Sequence, residues 1–131
     1  MPPVDWTASL VAAIASFLLG GFWYSPLLFG KAWQQDTGIS NEQLNASNKG
    51  KIFGFSFVFS FLAAAVFSMF LGPDPSIAFG IGAGAAAGIF WVAGSFGINY
   101  LFELKPLRLW LINGGYHSIQ FTLYGLVFGL M

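Results

Sequence analysis

His117 is the single histidine of the chain, and its neighbours at helical spacing, Asn113, Gln120 and Tyr124, are polar as well. At 3.6 residues per turn these four side chains fall within about 60° of arc. A second stripe, Gly88, Trp91, Ser95 and Asn99, repeats at similar spacing earlier in the chain. Imidazole is the group among them that titrates near neutral pH. Two readings of His117 stand side by side. It is either a proton-sensitive group beside a narrow hydrophilic path, or a neutral imidazole satisfied by Asn113, Ser95 or a backbone carbonyl and holding the helix register.

The elements that must position these residues are set by the charges. Every charged residue except Asp5, which precedes the first window, falls in a break between four uncharged windows, residues 6–30, 52–73, 75–102 and 109–131. Each window reaches the roughly 20 apolar residues that a helix needs to cross a bilayer core of about 30 Å. Charged residues are 8% of the chain and hydrophobic ones 56%, against about 25% charged in ordinary soluble domains. The predicted fold is therefore all-α: a single transmembrane domain, 1–131, with four helices over about 6–24, 51–71, 77–102 and 107–131 in a compact bundle. Ser25-Pro26 reads as an N-cap and first-turn proline that restarts a helix after a kink. Residues 26–48 form a cytoplasmic loop with short interfacial helices, residues 36–41 being irregular. Ser40 with Gln43 reads as a capping box. The third helix exceeds the bilayer core, which predicts tilt or a break at its glycines.

All five Lys and Arg lie in two breaks, Lys31, Lys49 and Lys51 in one and Lys105 and Arg108 in the other. The positive-inside rule puts 31–51 and 103–108 in the cytoplasm and both termini, with the 72–76 turn, outside. The start MPPVDW has neither a basic n-region nor a cleavage site, so the first window is expected to be a retained span. Glu103 is expected to pair with Lys105, Arg108 or Lys31 at the membrane edge.

Because a short turn joins the third and fourth spans, Asn99 is predicted level with Asn113, Ser95 near His117, and Trp91 near Gln120. Together they make a polar seam in the cytoplasmic half, flanked by Tyr24, Trp91 and Tyr116. Polar groups inside a membrane are costly and mark functional sites by default. Trp91 lies too deep for the aromatic belt that Trp6, Trp33 and Trp110 could form, so it packs on the seam or lines a cavity.

Small residues recur every fourth position: Ala8, Ala12, Ser16 and Gly20 in the first span, Ser56, Ser60, Ala64 and Ser68 in the second, Gly80, Gly84 and Gly88 in the third, and Gly125 with Gly129 in the fourth. Such stripes let helix backbones approach closely in lipid. Most are read as packing within the bundle, and Gly125 with Gly129 as a subunit interface, giving a homo-oligomer. Gly80-Ile81-Gly82-Ala83-Gly84 has no strand before it, so a dinucleotide loop is rejected.

No enzyme is expected. Cysteine is absent, one histidine makes no zinc site alone, and no carboxylate lies at helical spacing from His117. No metal or cofactor is expected either, and zero net charge gives no footprint for nucleic acid.

Two strings, WYSPLLFGKAW at 23–33 and NYLFELKPLRLWLINGGYH at 99–117, go beyond composition. With the spacing of the spans they resemble the bacterial membrane proteins grouped as domain-of-unknown-function family 1761, over essentially the whole chain. The resemblance implies a four-span protein of the bacterial inner membrane and carries no catalytic or binding residues with it. Function is read from the seam: a small channel or carrier for an ion or small polar solute, with Asn99, Asn113, His117 and Gln120 lining it. The alternative is a lipid- or quinone-binding module or scaffold subunit of a membrane complex. Polar lining ends past Tyr124, where 125–131 turns apolar, which weighs against a simple pore.

Overall fold

The computed structural model describes residues 3–131, which are helix and turn throughout. Helix α1 (Trp6–Trp23) starts where the Asp5 carboxylate accepts the Ala8 N–H at 3.0 Å, a side-chain N-cap. The chain does not resume helix at Pro26. Residues 24–29 form a coiled turn in which the Phe29 and Gly30 N–H groups bond back to the Trp23 and Ser25 carbonyls. Helix α2 (Gly30–Thr37) follows, and a Cβ at position 30 would strike the Tyr24 carbonyl oxygen. The helix carries Asp36 in its last turn, so residues 36–37 are helical and not loop, and Gly38 ends it at φ 75°. Helix α3 (Asn41–Ala46) opens with both bonds of the Ser40–Gln43 capping box, at 3.1 and 2.8 Å. Helix α4 (Lys49–Leu71) begins two residues before the predicted start because the Asn48 side chain caps the Lys51 N–H.

After the 72–76 turn, a continuous helical stretch runs from Ile77 to Phe102. It is α-helical over Ile77–Ala86 (α5), π-helical over Ala87–Ala93, and α-helical again over Gly94–Phe102 (α6). Helix α7 (Leu107–Leu130) returns antiparallel. Three stretches are long and apolar enough to cross a membrane: Trp6–Trp23, Lys49–Leu71 and Ile77–Phe102. Helix α7 has the length, about 36 Å at 1.5 Å per residue, but its Asn113, His117 and Gln120 lower its hydropathy.

The arrangement is not a closed bundle. Helix α7 is the hub, packed by the α5–π–α6 stretch on one side and by α1 on the other, with α4 packed chiefly on α1. Helices α4 and α5 are consecutive in sequence yet barely touch. The α5–α7 contact is backbone on backbone. A Cβ at Gly80 would strike the Gly125 carbonyl, and one at Gly84 the Phe121 carbonyl. One at Gly88 would lie 2.7 Å from the Ser118 Cα, and one at Gly129 2.7 Å from the Ile77 Cα. Gly125 and Gly129 are therefore consumed inside the chain, which corrects the expectation that they face another subunit. Across the α1–α4 contact, Ala8, Ala12, Ser16 and Ala64 are all fully buried.

The π-helical segment explains where the third span's polar stripe goes. The residues facing α7 are Gly80, Gly84 and Gly88, then Ala93 and Gly97: a five-residue step interrupts the four-residue ones. Five residues per hydrogen-bonded turn is the π spacing. Keeping small residues against α7 thereby rotates Trp91, Ser95 and Asn99 outward, and all three are exposed. Trp110 braces this segment by donating its indole N–H to the Ala93 carbonyl at 2.8 Å. Trp110→Phe removes that donor while keeping an aromatic ring. The expected cost is about 1 kcal/mol of stability, read as a lower midpoint in a denaturing-detergent titration.

Candidate functional site

Two polar clusters occupy the centre of the protein, both built on α7. The first is a chain of hydrogen bonds running across three helices. His117 Nδ1 meets the Gln120 amide oxygen at 2.5 Å, and Gln120 Nε2 donates to the Tyr124 hydroxyl at 2.6 Å. Tyr124 lies 2.6 Å from Ser60 Oγ on α4, and Ser60 Oγ lies 2.9 Å from Ser16 Oγ on α1. Ser16 then donates to the Ala13 carbonyl at 2.9 Å. One direction of donation satisfies every step: His117 N–H to Gln120, Gln120 to Tyr124, Tyr124 to Ser60, Ser60 to Ser16, Ser16 to backbone. Gln120, Tyr124, Ser60 and Ser16 are all buried. No buried side-chain polar atom among the described residues lacks a partner, as a polar network in a low-dielectric interior requires.

The imidazole plane is held by aromatic rings. Phe96 stacks on it at 5.1 Å with an 8° interplanar angle, and Tyr116 meets it edge-on at 4.9 Å. Tyr116 is itself fixed by donating to the Ser16 carbonyl at 2.9 Å.

The second cluster lies toward the α6–α7 turn. The Tyr24 hydroxyl donates to Asn113 Oδ1 at 2.6 Å, and Asn113 Nδ2 donates to the Tyr100 hydroxyl at 2.7 Å. Trp23 donates to the Ile112 carbonyl at 2.9 Å. The coiled turn at 24–29 matters here, because it leaves Trp23 and Tyr24 at the very end of α1, turned onto α7.

The structure divides the residues expected to form one seam: His117 and Gln120 share the first cluster with Tyr116 beside them, and Asn113 joins Tyr24 in the second. Ser95, Asn99 and Trp91 stand outside both, rotated away by the π-helical turn. Tyr100, Ser60 and Ser16 take their places. The serines sat in small-residue stripes and read as packing alone. Their hydroxyls, placed opposite a tyrosine-bearing helix, were the signal available. Tyr100 is adjacent in sequence to the asparagine chosen instead.

Charge pairing at the helix ends also differs from expectation. Arg108 forms a two-pronged ion pair with Asp36, Nε to Oδ2 at 2.8 Å and Nη2 to Oδ1 at 2.6 Å. Glu103 is exposed on the α6–α7 turn, and the fold-back of α2 is what delivers Asp36 to Arg108 in its stead. Hydrogen bonding from Arg108 holds the Asp36 carboxyl below the ordinary carboxylate range. A carboxyl depressed in the folded state stabilises the docked α2 above its unfolded pKa of about 4. That contribution disappears as pH falls through the lower folded value. In Asp36→Asn, amide exchange in α2 is expected to be a few-fold faster at neutral pH and to lose its dependence on acidification below about pH 4. Wild type should approach the variant's rate only at the acid end.

No group of three or more His, Asp or Glu side chains converges among the described residues, and His117 has no carboxylate beside it. The other notable feature is an apolar groove of about 370 Å³ where α4 and α5 diverge. Its walls are Phe67 and Leu71 from α4 and Phe79, Ala83 and Ala87 from the third span, with Trp91 at one end. Phe67 packs on both Phe121 and Tyr124 of α7, at 5.6 and 6.5 Å between ring centroids. This ring separates the groove from the buried hydrogen-bond chain.

Residues 7–129 match the sequence pattern of a family described as a protein of unknown function, DUF1761. No curated protein and no solved structure matches the chain.

Proposed function

The chain belongs to the DUF1761 family, and from its own geometry we propose that it is a non-enzymatic, multi-pass membrane protein that binds an apolar membrane molecule. The observation that carries this reading is the groove between α4 and α5. It is lined by Phe, Leu, Ala and Trp alone and lies between two of the helices apolar enough to cross a membrane. Pockets for small ligands are typically about 300–1,000 Å³ and mostly apolar with few polar groups. The buried polar chain then serves as a lock. It ties α1, α4 and α7 together so that α4 and α5 hold their separation.

The same proposal includes α7 as a fourth span and a bacterial inner-membrane location, with both termini outside. The orientation is supported by all five bases falling within 31–51 and 103–108, the pattern of cytoplasmic loops. Self-association is included as well. Ser95 and Asn99 are exposed on an otherwise apolar helix, where polar groups gain from a partner chain.

A channel or carrier for an ion or small polar solute is the second reading. It rests on His117, which is only half-buried and uses Nδ1 alone in hydrogen bonding. Against it, the outward end of α7 is closed onto α5 at Gly125 and Gly129.

Native mass spectrometry of the solubilised protein tests the first reading. A retained apolar adduct in wild type, lost in the groove-filling variant Ala83→Phe, is the expected result. No adduct, together with proton flux in proteoliposomes that disappears in His117→Ala, would replace binding with transport.

A further inference from the structure

The groove carries one polar group, and the depth of that group identifies a ligand class. Trp91 lines the groove and is 68% exposed. It lies near the middle of the membrane-crossing stretch Ile77–Phe102. Exposed tryptophans in membrane proteins belong at the two interfaces, where the indole N–H meets water or headgroups. At mid-depth there is neither. Trp23 and Trp110 place their N–H groups on the Ile112 and Ala93 carbonyls, whereas Trp91 donates to no atom among the described residues. A donor left without an acceptor in hydrocarbon is strongly unfavourable. Its orientation is no accident of helix period either. The π-helical turn of Ala87–Ala93 is what swings it off the α7 contact and onto the groove side.

The groove occupant that satisfies this donor is one that brings an acceptor to the middle of the bilayer. A phospholipid tail cannot do so, because its carbonyls sit at the ester level beside the headgroup. A lipid-soluble quinone can. Its ring carries two carbonyl acceptors and resides within the hydrocarbon, and its tail is apolar throughout. The walls suit such a molecule: Phe67, Phe79 and Phe90 offer aromatic faces to a flat ring, and Ala83 and Ala87 leave room beside the third span. We propose that the groove is a quinone site, with the Trp91 indole N–H donating to a ring carbonyl. This rests on the apolar-ligand reading above and narrows it to one class.

Binding of decylubiquinone to the purified protein in nanodiscs, measured by equilibrium dialysis beside decylbenzene, tests the assignment. Decylbenzene keeps a flat six-membered ring and the tail and lacks every oxygen acceptor, carbonyl and methoxy alike. Wild type is expected to bind the quinone saturably and more tightly than decylbenzene. Trp91→Phe, an exposed position at which the helical content should not change, is expected to weaken the quinone about five- to tenfold, the worth of one hydrogen bond. It should leave decylbenzene unchanged, and Ala83→Phe should abolish both. Equal affinity for the two probes, unaffected by Trp91→Phe, would overturn the quinone assignment while leaving an apolar-ligand groove. Failure of both probes to bind would overturn the assignment and the binding reading together.

Discussion

Replacing Gly84 with leucine is expected to pry apart the hairpin of the third span and α7, at a cost of about 3 kcal/mol or more. The added Cβ would land on the Phe121 carbonyl with the Thr122 Cα 3.0 Å away. Both are backbone atoms of a helix, so no side-chain rotation relieves the overlap. The helices must separate, and the neighbouring contacts of Gly80 on Gly125 and Gly88 on Ser118 are lost with it. In lipid there is no hydrophobic drive to compensate, since tails solvate the freed surfaces as well as protein does. Gly82→Leu is the control. It lies in the same helix with nothing within 4 Å of its would-be Cβ, and is expected to stay within about 0.5 kcal/mol of wild type. A denaturing-detergent titration followed by circular dichroism separates the two. Equal midpoints would show that the close approach contributes nothing.

Tyr124→Phe should cost about 2 kcal/mol although it removes a single oxygen. That oxygen accepts from Gln120 Nε2 and contacts both Ser60 Oγ and the Ser60 carbonyl, at 2.6, 2.6 and 3.2 Å. Its loss leaves the buried Gln120 amide donor without its acceptor and strips Ser60 Oγ of one of its two partners, Ser16 being the other. The distinctive result is non-additivity. Tyr124→Phe combined with Gln120→Leu and Ser60→Ala is expected to be less destabilised than the sum of the three single changes, because the stranded partners go together. Simple addition of the three costs would mean that the chain of bonds is not a unit. The same set bears on function. If the polar chain acts as a lock, Tyr124→Phe should also weaken occupancy of the groove, from which Tyr124 is separated by the Phe67 ring.

Much of the local structure is legible in the chain because it depends on near neighbours. The Ser40 cap and the turn at 72–76, with Gly72 at φ 77°, are settled within a few residues. Pro26 shows the limit of such rules. Its fixed φ suits a first helical turn, yet the backbone at Gly30 tucks so close to Tyr24 that the helix waits four residues longer. Asp36 shows another limit. Its place in a polar stretch reads as loop, and only the docking of α2 against the start of α7 turns that stretch into helix with a use for the carboxylate.

Composition and charge placement alone determined an all-helical chain built of long apolar stretches, the small-residue stripes along them, and a polar arc at Asn113, His117 and Gln120 on the last helix. These follow from burial and helical period, properties of one segment at a time. Which stripes meet, and what the polar arc faces, belonged to tertiary structure. Packing Gly88 and Ala93 against the same helix demands a five-residue step. The chain meets it by forming a π turn, which no α-period reading of one strand of sequence contains. That step moved Trp91, Ser95 and Asn99 from the interior to the outer face and left Ser16 and Ser60 to complete the polar chain. It also put an indole donor at the end of an apolar groove, formed because each of two consecutive helices packs more tightly on another neighbour than on the other.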